Sequence, residues 1–122
     1  GNVFHVQATT SGKSWTYLWT KMEFKPGKTY IVEADVKALP KNGAGEEMTK
    51  GNIGFCLKFD GKDHGIKMTA VTTDWTHATA EYTIPETMQP NPDSDMFGIF
   101  TDPIDDVACS FAVDNITVKV KE

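Results

Sequence analysis

Short strand-like runs separated by turn signals fill this sequence almost from end to end. No window carries apolar residues at the i, i+3, i+4, i+7 spacing of an amphipathic helix. Glycine, proline and aspartate cluster between the runs at regular intervals, as is typical of sandwiches and barrels. We therefore predict an all-β fold, a β-sandwich of two antiparallel sheets. The runs are residues 3–9, 15–24, 29–39, 53–59, 65–71, 76–84, 96–101 and 107–120.

Length and charge limit the classes of protein that remain. A chain of 122 residues can bury one two-layer core, so we predict a single domain over residues 1–122. The net charge is -5, and the 12 basic residues, all lysine, form no cluster that could follow a phosphate backbone. Nucleic acid is therefore not an expected partner. The apolar runs are only a few residues long, so we expect no membrane insertion.

An aromatic row is the most distinctive feature of the second run. Strand alternation sends Trp15, Tyr17 and Trp19 to one face and places Leu18 and Met22 on the other. Same-face residues lie about 6.5 to 7 Å apart on a strand, so three rings in line form a platform of about 13 Å. Flat rings in a row suit stacking against sugar rings. The alternative interpretation is a second apolar layer covered by a loop.

Carboxylates fall on the non-core faces of two other runs. In residues 29–39 the alternation buries an apolar set and leaves Glu33 and Asp35 on the polar face. A later strand sends Phe100 and Asp102 away from its apolar residues. The polar faces of these strands therefore carry carboxylates and aromatic residues together.

The two cysteines, Cys56 and Cys109, lie in separate strand-like runs. Two cysteines allow a single pairing, so a disulfide is one alternative. We favour two free, partly buried thiols, because cysteine behaves as a small apolar residue. No second ligand pair has the spacing of a zinc site.

Three blocks of sequence resemble the carbohydrate-binding modules of the family 4, 9, 16 and 22 group of bacteria. Residues 19–37, with Lys-Pro-Gly-Lys-Thr-Tyr at their centre, are similar to the family's first conserved strand pair. Residues 73–85 resemble its Trp-containing segment, and residues 110–118 resemble its last strand. The resemblance spans roughly residues 5–120. It implies a jelly-roll β-sandwich whose concave sheet forms a cleft for a glycan chain.

The resemblance also implies which residues contact sugar. It places the binding site on the non-core face of the central strands, where alternation puts Glu33, Asp35, Phe100 and Asp102. We expect these side chains to join the aromatic row in one sugar-binding face, where the carboxylates accept hydrogen bonds from hydroxyl groups. In the xylan-binding branch, an aromatic residue followed two positions later by a carboxylate contacts the ligand, and Phe100 and Asp102 match that spacing. The tryptophan of a neighbouring strand is replaced here by Asp35, and the branch's arginine has no counterpart, so xylan specificity is not implied. Trp75 corresponds to a position that is more often in the core or at an edge than in contact with ligand.

A structural calcium ion is a further expectation from the resemblance. The family's last strand supplies an aspartate ligand, which corresponds to Asp114. Its first strand, which helps to bind the ion, has no counterpart before Val3. Either that strand is missing from this sequence or this member does without it. The alternative for Asp114 is a carboxylate of a turn or bulge. We expect no other cofactor.

The sequence does not favour catalysis. The carboxylate pairs Glu46–Glu47 and Asp105–Asp106 lie in turn-like segments, where neighbouring side chains point apart rather than across a cleft. The three histidines are dispersed, with no nucleophile at triad spacing. A small hydrolase is therefore the least favoured interpretation.

We predict a non-catalytic carbohydrate-binding module that recognises a plant-type β-glycan of the xylan or β-glucan class. Its expected partners are a polysaccharide and a tethered catalytic domain, within a secreted or cell-surface bacterial protein. The alternative is a β-sandwich that serves as a protein-interaction or spacer domain of a multimodular protein.

Overall fold

The computed structural model describes residues 4–6, 16–41, 45, 47, 50–102 and 109–121. Eight strands lie within these residues and pair into two four-stranded antiparallel sheets. They are β1 (Phe4–Val6), β2 (Thr16–Lys21), β3 (Thr29–Ala38), β4 (Lys50–Phe59), β5 (Lys62–Thr72), β6 (Thr76–Thr83), β7 (Met96–Asp102) and β8 (Phe111–Val120). The predicted all-β sandwich is confirmed. No helix in the described ranges is long and apolar enough to cross a membrane.

The order of strands defines two different outer faces. Sheet A has the order β1-β8-β3-β6, and sheet B has the order β2-β7-β4-β5. Each sheet packs its inner face against the other sheet, so the two outer faces point in opposite directions. Side chains from β2 and β7 therefore share one outer face, whereas those from β3 and β8 share the other.

Alternating burial explains why these strands form a sandwich. Along β3 every second residue is buried, from Tyr30 to Ala38, and the intervening residues are half exposed. Strand β4 buries the set that alternation predicts, with side chains 0 to 2% exposed. The largest fully buried residues come from both sheets and from the segment after β2: Phe24, Phe55, Phe59, Phe97 and Phe111.

Two turns depend on residues with positive φ. Gly27, with φ 76°, follows Pro26 as the sequence predicts for a type II turn. Asp60 (φ 51°) and Gly61 (φ 68°) form the two-residue connection between β4 and β5. Positive φ at both positions is the signature of a type I′ hairpin, which matches the twist of the paired strands.

The β4–β5 hairpin is longer than the apolar runs predict. Both strands begin three residues earlier than expected, at Lys50 and Lys62, and they pair from Lys50 with Thr72 to Phe59 with Lys62. Polar and glycine residues join the ladder because cross-strand pairing, and not local propensity alone, sets the length of a strand. The last strand, β8, begins at Phe111. Cys109 and Ser110, which the predicted run 107–120 includes, therefore precede the strand.

Both cysteines are free and buried, which confirms the predicted thiols. Cys109 lies on the core side, next to Thr101, whose hydroxyl donates a 2.7 Å hydrogen bond to the Cys109 carbonyl. Cys56 points to the outer face of sheet B, where its residue is only 4% exposed.

Removal of a core ring should be far more costly than removal of an exposed ring. We expect Phe111→Ala, at a fully buried position, to lower the free energy of unfolding by about 3 to 5 kcal/mol. Trp75→Ala removes a larger ring that is 45% exposed, and we expect a cost of about 1 kcal/mol or less. Urea denaturation of both variants measures the difference. Equal losses would contradict the position of the core.

Candidate functional site

Three aromatic rings form a continuous surface on the outer face of sheet B. Tyr17 and Trp19, both in β2, have ring centroids 5.4 Å apart and planes 16° apart. The Phe100 ring of β7 lies 6.0 Å from Tyr17 at an angle of 33°. Tyr17 is directly opposite Phe100 in the β2–β7 ladder, so the three rings belong to two neighbouring strands. We call Tyr17, Trp19 and Phe100 the aromatic platform.

Glycines beneath the platform allow its rings to lie flat on the sheet. A Cβ atom on Gly98 would come within 2.5 Å of the Trp19 indole, and one on Gly54 would come within 2.7 Å of the Phe100 ring. The side chain of Met68 also lies over Gly54. Glycine in the interior of a strand commonly marks such a close approach. Glycines inside the strands are visible in the sequence, but the pairing of neighbouring strands decides which ring lies over each of them.

Asp102 supplies a polar atom beside the rings. It follows Phe100 by two residues on the same outer face, and its Oδ1 is buried without a hydrogen-bond partner in the described part of the chain. Burial raises the pKa of this carboxyl group above its usual value. An unpaired buried acceptor is costly. The residue as a whole is half-buried, so a ligand hydroxyl would meet the carboxylate on its exposed side and not at Oδ1.

Tyr17 and Cys56 complete the chemistry of this face. Burial and, after it, the nearby Asp63 carboxylate raise the pKa of the Tyr17 hydroxyl, which therefore stays a donor at neutral pH. The same two causes, in the same order, raise the pKa of the Cys56 thiol to about 11. Cys56 is consequently a neutral, unreactive thiol that forms part of the floor of the face.

Glu33 and Asp35 do not lie on this face, and the expectation that they share it with Phe100 and Asp102 is wrong. Both belong to β3, in sheet A, and point outward on the opposite side of the sandwich. Alternation along a strand distinguishes inward from outward residues, but it does not reveal to which sheet the strand belongs. A role for either residue in sugar binding stays a prediction, and it would require a second site.

A histidine links these two carboxylates. His77 places Nδ1 2.8 Å from Asp35 Oδ1 and Nε2 3.2 Å from Glu33 Oε1, and the Asn115 side-chain amide donates a 2.8 Å hydrogen bond to Asp35 Oδ2. The bonds from Asn115 and then from His77 lower the pKa of Asp35. The pKa of His77 is raised by its hydrogen bond to Asp35 and, to a smaller extent, by its hydrogen bond to Glu33, because both ring nitrogens donate when the imidazole is protonated.

Asp114, the expected calcium ligand, lies in β8 and takes part in a local hydrogen bond. Its Oδ1 accepts a 2.8 Å hydrogen bond from the Asn115 backbone amide. Within the described ranges, no three His, Cys, Asp or Glu side chains come together as a metal would require. Calcium binding by Asp114 stays a prediction.

Several sequence candidates fall elsewhere. Trp75 is 45% exposed, at the start of the edge strand β6, so it is an edge residue and not a core residue. The Lys37 ammonium lies 4.7 Å from the centroid of its ring. The remaining candidates lie outside the described residues: Trp15, Glu46, Asp105 and Asp106.

An apolar cavity of about 320 Å³ lies between the sheets, where β1 and β2 approach each other. Phe4, Leu18 and Ile116 are among its lining residues. Residues 7–15 connect these two strands and lie outside the described residues, so we assign no ligand to this cavity.

Solved carbohydrate-binding modules share this fold. The CBM22-1 and GH10 modules of xylanase 10B from Clostridium thermocellum, solved with xylohexaose, match with a TM-score of 0.68 and 18% identity over 97% of this chain and 21% of that chain. A xylan-binding domain of family 22 matches with a TM-score of 0.61 and 20% identity, over 95% and 71% of the two chains. A family 4 module matches with a TM-score of 0.59 and 19% identity, over 88% and 61%.

These similarities define the class of fold. At such identities they show a jelly-roll β-sandwich of the kind found in carbohydrate-binding modules, which confirms the resemblance carried by the three sequence blocks. This chain spans only about a fifth of the length of the xylanase chain. No protein-family model and no curated protein matches the sequence.

Gly98→Ala should displace the Trp19 indole, because the new methyl group would occupy space that the ring now fills. With Trp15 and Trp75 replaced by Phe, Trp19 becomes the sole indole, and we expect its emission to move to longer wavelength as the ring becomes more exposed. Gly65→Ala is the matched control, since its nearest neighbour is a Phe100 ring carbon at 4.0 Å, an ordinary contact. An unchanged spectrum in Gly98→Ala would contradict the flat packing of the ring.

The His77 bonds predict a stability that depends on pH. The pKa of His77 is raised in the folded state, so its contribution is fully present below its ordinary value of 6.5 and is lost as the pH rises through the folded value. We expect wild-type protein to lose more thermal stability than His77→Gln between about pH 6 and about pH 9. His5→Gln, which replaces another exposed histidine, should keep the wild-type dependence. Parallel curves for wild type and His77→Gln would refute the prediction.

Proposed function

We propose that this domain is a non-catalytic carbohydrate-binding module and that the outer face of sheet B binds a β-linked glycan of the xylan or β-glucan class. The observation that carries the proposal is the nearly parallel pair of rings, Tyr17 and Trp19, of which the Trp19 indole lies flat over Gly98. Tyr17 is 42% exposed, so the platform leaves a large ring in contact with solvent, and exposed apolar surface of this kind commonly marks an interaction site.

The platform fits a sugar chain chemically. The C–H faces of pyranose rings are flat and weakly apolar, and they stack on Trp19 and Tyr17 without displacing protein atoms. The Asp102 carboxylate accepts a hydrogen bond from a ligand hydroxyl, and the Tyr17 hydroxyl can donate one. Each hydrogen bond contributes only about 0.5 to 1.5 kcal/mol net, because it replaces one to water. We therefore expect micromolar or weaker affinity.

The charge of the face favours neutral glycans. Asp63 lies close enough to Tyr17 to raise the pKa of its hydroxyl, and Asp102 borders the same rings. The whole chain carries a net charge of -5. A polyuronate such as pectin would bring further negative charge to this surface, so we expect xylan or β-glucan to bind and pectin not to bind.

A binding module gains its biological effect from attachment. We propose that the domain belongs to a secreted or cell-surface protein and keeps a catalytic domain close to its polymer, which raises the effective concentration of substrate. The xylanase structure that shares this fold contains a CBM22-1 and a GH10 module, which supports such an arrangement without establishing it for this chain. Incubation of the domain alone with bound polysaccharide should release no new reducing ends.

Affinity electrophoresis tests the proposed function directly. The purified domain is run through gels containing xylan, mixed-linkage β-glucan, hydroxyethyl cellulose, mannan or pectin. We expect retardation by xylan or a β-glucan, and we expect Trp19→Ala to weaken it at least about tenfold, equivalent to about 1.4 kcal/mol, because the stacking surface is lost.

Val120→Ala is the control variant. It removes an exposed apolar side chain from β8, in the other sheet, and should leave retardation unchanged. Uniform migration in every gel would reject glycan binding at the platform and favour a protein-interaction domain. Binding that survives Trp19→Ala undiminished would reject the platform as its site.

A further inference from the structure

An open pocket of about 490 Å³ lies on the outer face of sheet A, on the opposite side of the sandwich from the aromatic platform. It shares no residue with the platform. Its lining residues are Asp35, Trp75, Thr76, His77, Asp114 and Asn115. The pocket therefore combines one large aromatic surface with several polar side chains.

Trp75 provides the apolar wall of the pocket. Its side chain is exposed, and the Lys37 ammonium contacts its ring at 4.7 Å from the centroid. Lys37 does not line the pocket, so the lysine steadies the indole without filling the space beside it. An exposed indole that is fixed in place offers a stacking surface at little cost in side-chain entropy.

Asn115 provides hydrogen-bonding groups that are already oriented. It adopts φ 53°, close to an irregularity in the β3–β8 ladder between Glu33 and Asp35. One N–H of its side-chain amide donates to Asp35 Oδ2, which fixes the amide. Among the described residues, its carbonyl oxygen and second N–H have no other partner and are oriented for a ligand. Thr76 also borders the pocket, but it pairs with the buried Val36, so its own side chain points towards the core.

The charges at the pocket offset one another only in part. Asp35 already receives hydrogen bonds from two neighbours, and the His77 imidazole also contacts Glu33. Protonated His77 and Lys37 oppose three carboxylates, those of Glu33, Asp35 and Asp114. The pocket is therefore poorly suited to an anion and better suited to a neutral molecule that has an apolar face and hydroxyl groups that can donate to carboxylates.

We propose that this pocket binds a neutral pyranose residue of a glycan, which stacks on Trp75 and exchanges hydrogen bonds with the Asn115 side-chain amide. The proposal does not rest on glycan binding at the aromatic platform, because the two sites lie on opposite faces. If both sites are occupied, one domain holds two glycan segments at once and can bridge neighbouring polymer chains.

NMR titration of the labelled domain separates the two sites. Xylose, glucose, mannose and galactose are each added to about 50 mM, so that a millimolar site becomes saturated. We expect at least one sugar to shift the Trp75 indole N–H and the Asn115 side-chain amide together and in a saturable way. The Trp19 indole N–H reports the platform in the same spectra.

Two variants test the assignment. Trp75→Ala should abolish the Asn115 shift, and Asn115→Gly should weaken the Trp75 shift at least fivefold while glycine keeps the positive φ. Trp19→Ala, the matched loss of an indole from the other sheet, should leave both signals unchanged.

The outcomes distinguish this proposal from the proposed function. Shifts at Trp75 and Asn115 without a shift at Trp19 would support the second site even if the platform binds nothing. A shift at Trp19 alone, or no shift at all, would overturn the second site. The second site would also be overturned if all three residues shift in the wild-type protein and Trp19→Ala abolishes the shifts at Trp75 and Asn115, since a single site would then account for them.

Discussion

The packing of the two inner faces is the constraint on which the rest of the structure depends. Each strand gives alternate residues to the core, and the aromatic rings of Phe55, Phe97 and Phe111 are buried there with exposures of 0 to 2%. Because the core uses one face of each sheet, two outer faces remain, and they point in opposite directions. Any recognition surface on a sheet must therefore be built from outward residues of strands that are neighbours within it.

Sheet B uses its outer face for flat aromatic packing. Trp19 lies over Gly98, and Phe100 lies over Gly54, so both rings come close to the backbone of the neighbouring strand. Such rings have few alternative positions, which limits the entropy lost when a ligand stacks on them. The half-buried carboxylate of Asp102 lies on the same outer face, two residues along the strand from Phe100. The face therefore combines rings in restricted positions with a polar group at their edge.

Sheet A uses its outer face for charge pairing. His77 connects Glu33 with Asp35, and Asn115 holds Asp35 from the other side, so three strands are linked across β6, β3 and β8. These groups are exposed, and water and salt therefore weaken the attraction between them. Their importance lies in orientation, because the network fixes the polar groups beside the exposed ring of Trp75.

The sequence by itself determined the strand content, the two turns at Gly27 and Asp60, and which residues point inward, because these follow from local alternation and from backbone preferences. It also placed Tyr17 and Trp19 on one face. Only the tertiary structure decided that β3 and β7 belong to different sheets, which separates Asp35 from Asp102. Pairing between distant strands depends on contacts across the whole chain, so no local pattern records it. The same long-range pairing brings Gly98 beneath Trp19 and extends the hairpin beyond its apolar residues.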